Sequence, residues 1–189
     1  MEIEKTEIEG CFVVTPKVFA DERGQFFESF HHEKFKNATG LNVSFVQDNI
    51  SVSTKNVIRG LHFQKGEFAQ AKLVQTIKGK VLDVVVDIRK ESPTFGKHLK
   101  FTLTEENRKQ VFMPKGIAHG FVVLSDEAVF SYKCDAYYHP SSEAGIFYAD
   151  EQLEIDWQID MNDAIVSSKD QELPTLKSYF DAISIGDRG

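Results

Sequence analysis

Short strand patterns separated by turn residues recur along this chain, and they constrain its fold more than any other feature. In these patterns β-branched and aromatic residues mix or alternate with polar ones, which is typical of half-buried strands. They occupy residues 43–53, 72–77, 81–88, 118–124 and 129–138. Helical patterns are few, over residues 31–39 and 176–183. Many short antiparallel strands with few helices predict an all-β sandwich or barrel closing around a cavity.

Two strand pairings are predicted, each between strands that are consecutive in the sequence. Residues 72–77 lead through Lys78 and Gly79 into residues 81–88, and Gly79 can supply the positive φ that a tight hairpin turn requires. The second predicted pair is 118–124 with 129–138. Because alternate residues of a strand share a face, the second strand is predicted to present one cavity wall, formed by Phe130, Tyr132, Cys134 and Tyr138.

Composition excludes several classes of protein. A chain of 189 residues with 41% hydrophobic residues is long enough for one sizeable core, so we expect one domain over residues 1–189. A net charge of −7 disfavours non-specific binding to nucleic acid or to an anionic membrane. Two cysteines are too few for a disulfide framework or a cysteine-based zinc site, and no apolar run is long enough to cross a membrane. We therefore expect a cytoplasmic protein without nucleic-acid or membrane partners.

Residues 59–64 combine a permanent cation, a histidine and a glycine. Arg59 and His62 are three positions apart, so a straight strand would point them to opposite faces. If both serve one site, a bulge or twist is predicted near Gly60. The alternative interpretation is a surface ion pair for Arg59 and a hydrogen-bonded core position for His62.

Other segments are ambiguous on their own. A Pro-Gly turn before His119 delivers that histidine onto an apolar strand. The turn around Arg23 suits either an anion and base-stacking platform or an ordinary polar turn. Gln64 stands where a metal site would want a second histidine after His62, so we predict no metal.

Six segments taken together, in order along the chain, resemble the dTDP-4-dehydrorhamnose 3,5-epimerase family. They are DERGQFFESF (21–30), QDNIS (47–51), RGLHFQ (59–64), PKGIAHGF (114–121), SYKCDAYY (131–138) and SSKD (167–170). The resemblance implies a cupin jelly-roll, which is a double-sheet antiparallel β barrel, with a few short helices. It also implies a homodimer without metal or other cofactor, and a dTDP-4-keto-6-deoxy sugar as substrate.

The reaction that the resemblance implies is inversion at C3 and C5, the two carbons next to the C4 ketone. It assigns His62 as the base, Asp170 as its orienting partner and Tyr132 as the acid, with Lys72 at the enolate oxygen and His119 nearby. Arg59 and Arg23 match the diphosphate-binding cations, and Tyr138 matches the thymidine-stacking aromatic. The remaining implied substrate contacts are Glu28, Gln47, Asn49, Glu143 and Lys169. A further expectation is that Asp83 orients His119.

Three alternatives remain open from the sequence. Relatives that epimerise a single carbon share nearly all of these residues. A non-catalytic cupin could bind a nucleotide sugar without turning it over. A metal-dependent cupin dioxygenase or isomerase is disfavoured by the incomplete histidine motif. Cys134 is interpreted as a small apolar filler rather than a nucleophile.

Overall fold

Two facing antiparallel β-sheets form the framework of the computed structural model, which describes residues 1–186. The six-stranded sheet has the spatial order β1 (Glu2–Lys5), β2 (Phe12–Thr15), β10 (Gln110–Met113), β7 (Lys72–Lys78), β12 (Glu127–Cys134) and β5 (Gln47–Thr54). The five-stranded sheet has the order β13 (Glu143–Gly145), β6 (Ile58–Gln64), β11 (Ile117–Val123), β8 (Lys80–Asp87) and β9 (His98–Thr104). The predicted all-β double-sheet fold is confirmed.

A separate two-stranded hairpin lies outside both sheets. It consists of β3 (Val18–Asp21) and β4 (Gly24–Phe27), which pair antiparallel across a tight turn. The helices are α1 (His32–Thr39), α2 (Ser168–Gln171) and α3 (Leu176–Gly186). Gly40 ends α1 in the left-handed conformation at φ 77°. No helix among residues 1–186 is long and apolar enough to cross a membrane.

The main core lies between the two sheets. Val74 and Phe130 of the six-stranded sheet pack there against Val85 and Phe121 of the five-stranded sheet. A second cluster covers the outer face of the five-stranded sheet with residues from the C-terminal part of the chain, including Trp157. Because β8 and β11 are covered on both faces, they are buried along almost their whole length, and their sequences are nearly continuous apolar runs.

Both predicted strand pairings are wrong. β7 and β8 lie in different sheets, as do β11 and β12. The turn at Gly79, with φ 80°, is a corner at which the chain crosses from one sheet to the other. This corner contacts the connection between β11 and β12, since the backbone N–H of Lys80 donates to Ser125 Oγ at 2.8 Å. A side chain at position 79 would meet the Glu127 carbonyl oxygen at 2.1 Å, so this close approach requires glycine.

Candidate active site

A bulge in β6 places Arg59 and His62 on the same cavity. β6 and β11 pair with His119 opposite His62 and Phe121 opposite Arg59, so that three steps along β6 match two along β11. Gly60, at φ 125°, lies within the bulge, where an added Cβ would be 2.5 Å from Gly120 Cα. The bulge that the sequence predicts near Gly60 is therefore confirmed, and both side chains line one cavity.

His62 is held by a buried carboxylate from a distant part of the chain. Its Nε2 donates to Asp170 Oδ1 at 2.7 Å, and Asp170 Oδ2 also accepts from the backbone N–H of Gly60 at 3.2 Å. Asp170 is positioned by α2, whose N-cap is Ser167. Burial alone would raise the pKa of Asp170, but the hydrogen bond and charge of His62, with the other donors, hold it below its usual range.

Tyr132 and Lys72 come from neighbouring strands of the facing sheet. The Lys72 ammonium lies 6.0 Å from the centre of the Tyr132 ring. Burial raises the pKa of the Tyr132 phenol, which keeps it protonated. Burial lowers the pKa of Lys72, opposed by the negative charge of Asp83 and Glu143. The phenol is thus kept as a proton donor beside a lysine that is already removed from water by burial.

A second histidine–carboxylate pair is more deeply buried than the pair of His62 and Asp170. His119 Nε2 donates to Asp83 Oδ1 at 2.6 Å, with both residues buried, and the His119 ring stacks on Phe130. The expectation that Asp83 orients His119 agrees with this contact. Asp83 Oδ2 finds no hydrogen-bond partner among residues 1–186.

Two adjacent cavities meet at three of these side chains. The larger has a volume of about 550 Å³ and the smaller about 230 Å³, and His62, Lys72 and Tyr132 line both. The sequence-predicted residues Arg59, His119, Lys169 and Asp170 also line the larger cavity. Gln47, Asn49, Tyr138 and Glu143 line the smaller one. An elongated ligand with one reacting group could therefore span both cavities past the shared side chains.

Glu143 joins two side chains at the border between the cavities. Its Oε2 accepts from Tyr138 Oη at 2.7 Å and from Lys169 Nζ at 2.6 Å. Burial raises the pKa of Glu143, but these two donors outweigh it and lower the pKa overall. Arg59, in the larger cavity, is fixed by its own contact, because its Nε donates to Ser53 Oγ at 3.1 Å.

The prediction that four alternate residues of the strand β12 form one cavity wall is confirmed in part. Phe130 and Cys134 are buried and Tyr132 lines the cavities, as alternation predicts. Tyr138 lies beyond the strand, which ends at Cys134, and reaches the smaller cavity from the following loop. Burial raises the pKa of the Cys134 thiol, so the thiol stays protonated, in keeping with a filler.

Two sequence-predicted contacts lie away from both cavities. Arg23 is on the β3–β4 turn, strongly exposed, and pairs with Asp21 of the same turn. Glu28 follows that hairpin and pairs with Lys34 of α1 at 2.8 Å. Within one chain these two residues therefore do not reach the cavities, because the hairpin is separate from both sheets and its residues line neither cavity. Their role as substrate contacts stays a prediction.

Sequence reasoning missed two polar residues that line the larger cavity, Ser51 and Ser167. Ser51 lines it, and the buried Ser51 hydroxyl has no hydrogen-bond partner within residues 1–186. The signal was available, since Ser51 shares its strand face with Gln47 and Asn49 in the alternating segment QDNISVS. Within the same described range, no group of three or more His, Cys, Asp and Glu side chains is arranged to hold a metal ion.

Comparison with known proteins gives a consistent result. Residues 5–178 match the family model described as dTDP-4-dehydrorhamnose 3,5-epimerase. A protein of that name from Escherichia coli K12 is 52% identical over 176 residues, covering 93% of this chain and 95% of the relative. The solved structure of such an epimerase from Elizabethkingia anophelis has a TM-score of 0.91 and 52% identity, covering 94% of this chain and 97% of that one.

A third relative was solved with a bound sugar nucleotide. It is a dTDP-6-deoxy-D-glucose-3,5-epimerase from Legionella pneumophila in complex with dTDP-4-keto-L-rhamnose. It has a TM-score of 0.89 and 46% identity, with 93% of each chain covered.

Proposed function

Because this chain belongs to the dTDP-4-dehydrorhamnose 3,5-epimerase family, we propose that it converts dTDP-4-dehydro-6-deoxy-D-glucose to dTDP-4-dehydro-L-rhamnose. The conversion inverts C3 and C5 on the way to dTDP-L-rhamnose. The observation that carries this proposal is the convergence of the His62–Asp170 pair, Lys72 and Tyr132 on the boundary of two cavities. The larger cavity is of a size that accommodates a sugar.

His62 acts as the base through Nδ1. Its Nε2 donates to Asp170, which leaves Nδ1 as the acceptor nitrogen of the neutral ring. Nδ1 removes the proton from C3 or C5, and the electron pair of the broken C–H bond moves to the C4 carbonyl oxygen as an enolate. The ionised Asp170 stabilises the imidazolium that results.

Lys72 and Tyr132 complete the inversion. The Lys72 ammonium faces the enolate oxygen and stabilises the developing negative charge, with His119 as a second polar group in the same cavity. Tyr132 returns a proton to the carbon from the face opposite His62, so the carbonyl reforms with inverted configuration. The raised pKa of Tyr132 supports its role as the acid.

The nucleotide is held by the rim of the two cavities. Arg59 and Lys169 bind the diphosphate, for which the planar guanidinium of Arg59 is well suited. Tyr138 stacks on thymine over the smaller cavity, and the remaining polar contacts come from Gln47, Asn49 and Glu143.

Arg23 and Glu28 act in the site of a second copy, so the enzyme is a homodimer. The β3–β4 hairpin that precedes Glu28 exposes Phe19 and Phe26 to 54% and 71%. The edge strand β5 exposes Ile50 and Val52 to 69% and 60%. Apolar side chains exposed on a projecting hairpin and on a sheet edge suit an interface between copies.

Subunit complementation tests the exchange of Arg23 between copies. Arg23→Ala and His62→Ala are each expected to be nearly inactive alone. If Arg23 serves the partner subunit, a mixed dimer contains one site with both residues intact, so mixing and re-equilibrating the two variants should restore activity. Absence of any restoration, with mixed dimers present by native mass spectrometry, would contradict the proposal.

Solvent exchange tests the reaction itself. Incubation with dTDP-4-dehydro-6-deoxy-D-glucose in deuterated water should place deuterium at both C3 and C5, as NMR of the product can show. Deuterium at C3 alone would indicate a mono-epimerase, and binding of dTDP without exchange would indicate a nucleotide-sugar-binding protein.

The enzyme is further proposed to be cytoplasmic and to need no cofactor. Cys11 and Cys134 are both free and buried, which suits a reducing compartment. Elemental analysis of the purified active enzyme tests the absence of a metal requirement, and a stoichiometric metal whose removal abolishes turnover would contradict it.

A further inference from the structure

The residue expected to stack on the nucleotide stands on a segment without helix or strand. Residues 135–139 connect β12 to a short 3₁₀ turn, Pro140–Ser142, and carry Tyr138. Tyr138 is 50% exposed, so packing around its ring contributes little to fixing it. The backbone of this segment must therefore be held by other groups.

Gln64 holds this segment from the end of β6. Its Nε2 donates to the carbonyl oxygens of Phe68, at 2.7 Å, and Tyr137, at 3.2 Å, and its Oε1 accepts from the backbone N–H of His139 at 2.6 Å. Gln64 is buried, and both donors and the acceptor of its amide are used. The three bonds join the residues on either side of Tyr138 to the strand that carries His62.

Two further glutamines bind other residues of the same segment. Gln47 Oε1 accepts from the backbone N–H of Tyr138 at 2.8 Å, and Gln70 Nε2 donates to the Ala136 carbonyl oxygen at 2.8 Å. Four consecutive residues, 136–139, are thus each bound through the backbone by a glutamine side chain. We call Gln47, Gln64 and Gln70 the glutamine clamp.

Further contacts around Gln64 join the same segment to the 66–68 turn and to β13. The ring of Phe68 stacks on that of His139, with centroids 3.8 Å apart and planes at 12°. Residues 143–145 return from the loop as β13 and pair with β6, so that Glu143 lies opposite Gln64. Gln64 is therefore the point at which β6, the 66–68 turn and the Tyr138 segment meet.

We propose that Gln64 is a positioning residue that presets Tyr138 for the nucleotide. This inference rests on the proposed function, in which Tyr138 stacks on thymine. A loop ordered before binding loses less conformational entropy when the ligand arrives. Loss of the clamp should therefore weaken nucleotide binding and leave the proton transfers at His62 and Tyr132 intact.

Substitution of Gln64 by methionine keeps the side-chain length and removes all three hydrogen bonds. Gln64→Met should raise the Kd for dTDP, measured by calorimetry, about tenfold, and KM for the sugar nucleotide similarly, with kcat within about twofold of the wild type. Gln70→Met removes a single bond to the same segment and should raise the Kd about threefold. It provides a milder variant if Gln64→Met folds poorly.

The effect must operate through Tyr138. In a Tyr138→Ala background, Gln64→Met should add little further loss of dTDP affinity, because the ring that it positions is gone. The control is Asp150→Ala, which removes another buried loop-holding side chain that accepts from the backbone N–H groups of Gln152 and Leu176. Asp150 lines neither of the two cavities, so this variant should lower the Tm and leave the Kd unchanged.

The outcomes separate this inference from the proposed function. Weaker binding in Tyr138→Ala, together with an unchanged Kd in both glutamine variants, would overturn the positioning role alone. An unchanged Kd in Tyr138→Ala would overturn the stacking role and this inference with it. Additive losses in the double variant would also contradict positioning through Tyr138.

Discussion

The hydrogen bond between His62 and Asp170 decides which ring nitrogen is available for chemistry. Asp170 accepts from His62 Nε2 and from the backbone N–H of Gly60, so Nδ1 is left as the acceptor nitrogen of the neutral ring. The same contact keeps a buried carboxylate ionised. The role of the free ring nitrogen can be measured as activity, and the ionisation of the carboxylate can be measured as stability.

Removal of the base should abolish exchange without abolishing binding. His62→Ala is expected to lower deuterium incorporation at both C3 and C5 by about 10³-fold, because no other group replaces the imidazole. The Kd for dTDP should change little, since the Arg59 and Tyr138 contacts remain. Exchange near the wild-type rate in this variant would remove His62 from the role of base.

Loss of the acid should separate proton removal from inversion. Tyr132→Phe keeps the ring beside Lys72 but has no proton to return, so formation of the inverted product should fall by about 10²-fold or more. Wash-out of deuterium from a C3- or C5-deuterated substrate into ordinary water should fall much less, because His62 still removes the label. Equal loss in both assays would argue that Tyr132 serves substrate binding instead.

The lowered pKa of Asp170 predicts a pH-dependent contribution to stability. A carboxyl group whose pKa is lower in the folded than in the unfolded chain stabilises the fold at pH values above its ordinary pKa of 3.8. It loses that contribution as the pH falls through the lower pKa of the folded state. The difference in unfolding free energy between the wild type and Asp170→Asn should therefore be largest near pH 7 and shrink below about pH 4. Urea titrations across this range measure it, and a pH-independent difference would contradict the assignment.

At the residue scale, the sequence predicts what depends on local pattern and fails where position depends on another surface. The strand parity of Tyr132 was enough to place it on the cavity face. The site of action of Arg23 was not predictable, because the β3–β4 hairpin has strong local turn signals and no signal for what it packs on.

At the scale of single elements, the bulge in β6 is the feature that assembles the site. It turns two residues three positions apart toward one cavity, and its backbone lies against Gly120 too closely for any side chain. The sequence could predict this, because Gly60 lies between two chemically distinctive residues whose spacing does not suit a straight strand.

Gly60→Ala should therefore be far more damaging than an ordinary glycine substitution. An added Cβ would meet backbone atoms of His119 and Gly120 at 2.7 and 2.5 Å, so we expect a loss of about 3 kcal/mol in unfolding free energy and of most activity. Gly40→Ala is the matched control, with positive φ but no atom within 4 Å, and should cost about 1 kcal/mol. Equal costs in urea unfolding would show that the close backbone approach is unimportant.

The two strand pairings failed at this scale for a physical reason. A glycine between two strand patterns allows either a hairpin within one sheet or a corner between two sheets, and local preference is the same for both. What selects the corner is burial on both faces of β8 and β11, which places them in the sheet whose outer face is covered by the C-terminal part of the chain. Nearly continuous apolar runs at residues 81–88 and 117–123 were the available signal.

At the scale of the whole molecule, a chain of net charge −7 holds an anionic ligand by concentrating cations in one place. Arg59, Lys72 and Lys169 line the larger cavity, whereas the excess of acidic residues is distributed elsewhere. The overall charge and the local charge thus have opposite signs, and only the local one bears on the ligand.

The proposed homodimer predicts that stability depends on protein concentration. Because the dimer dissociates when it unfolds, the Tm should rise when the protein concentration is increased about a hundredfold. If residues 1–189 form a single domain, unfolding should also show one cooperative transition. Differential scanning calorimetry measures both properties. A Tm independent of concentration would contradict an obligate dimer, and two resolved transitions would contradict the single domain.

The long separation of His62 and Asp170 along the chain, 108 positions, has a consequence for protein synthesis. A nascent polypeptide that has already produced the histidine, the lysine and the tyrosine still lacks the carboxylate that orients the imidazole. Ribosomes that stall anywhere before residue 170 release fragments without the complete pair, so turnover in a translation extract should report only on chains that extend past that position.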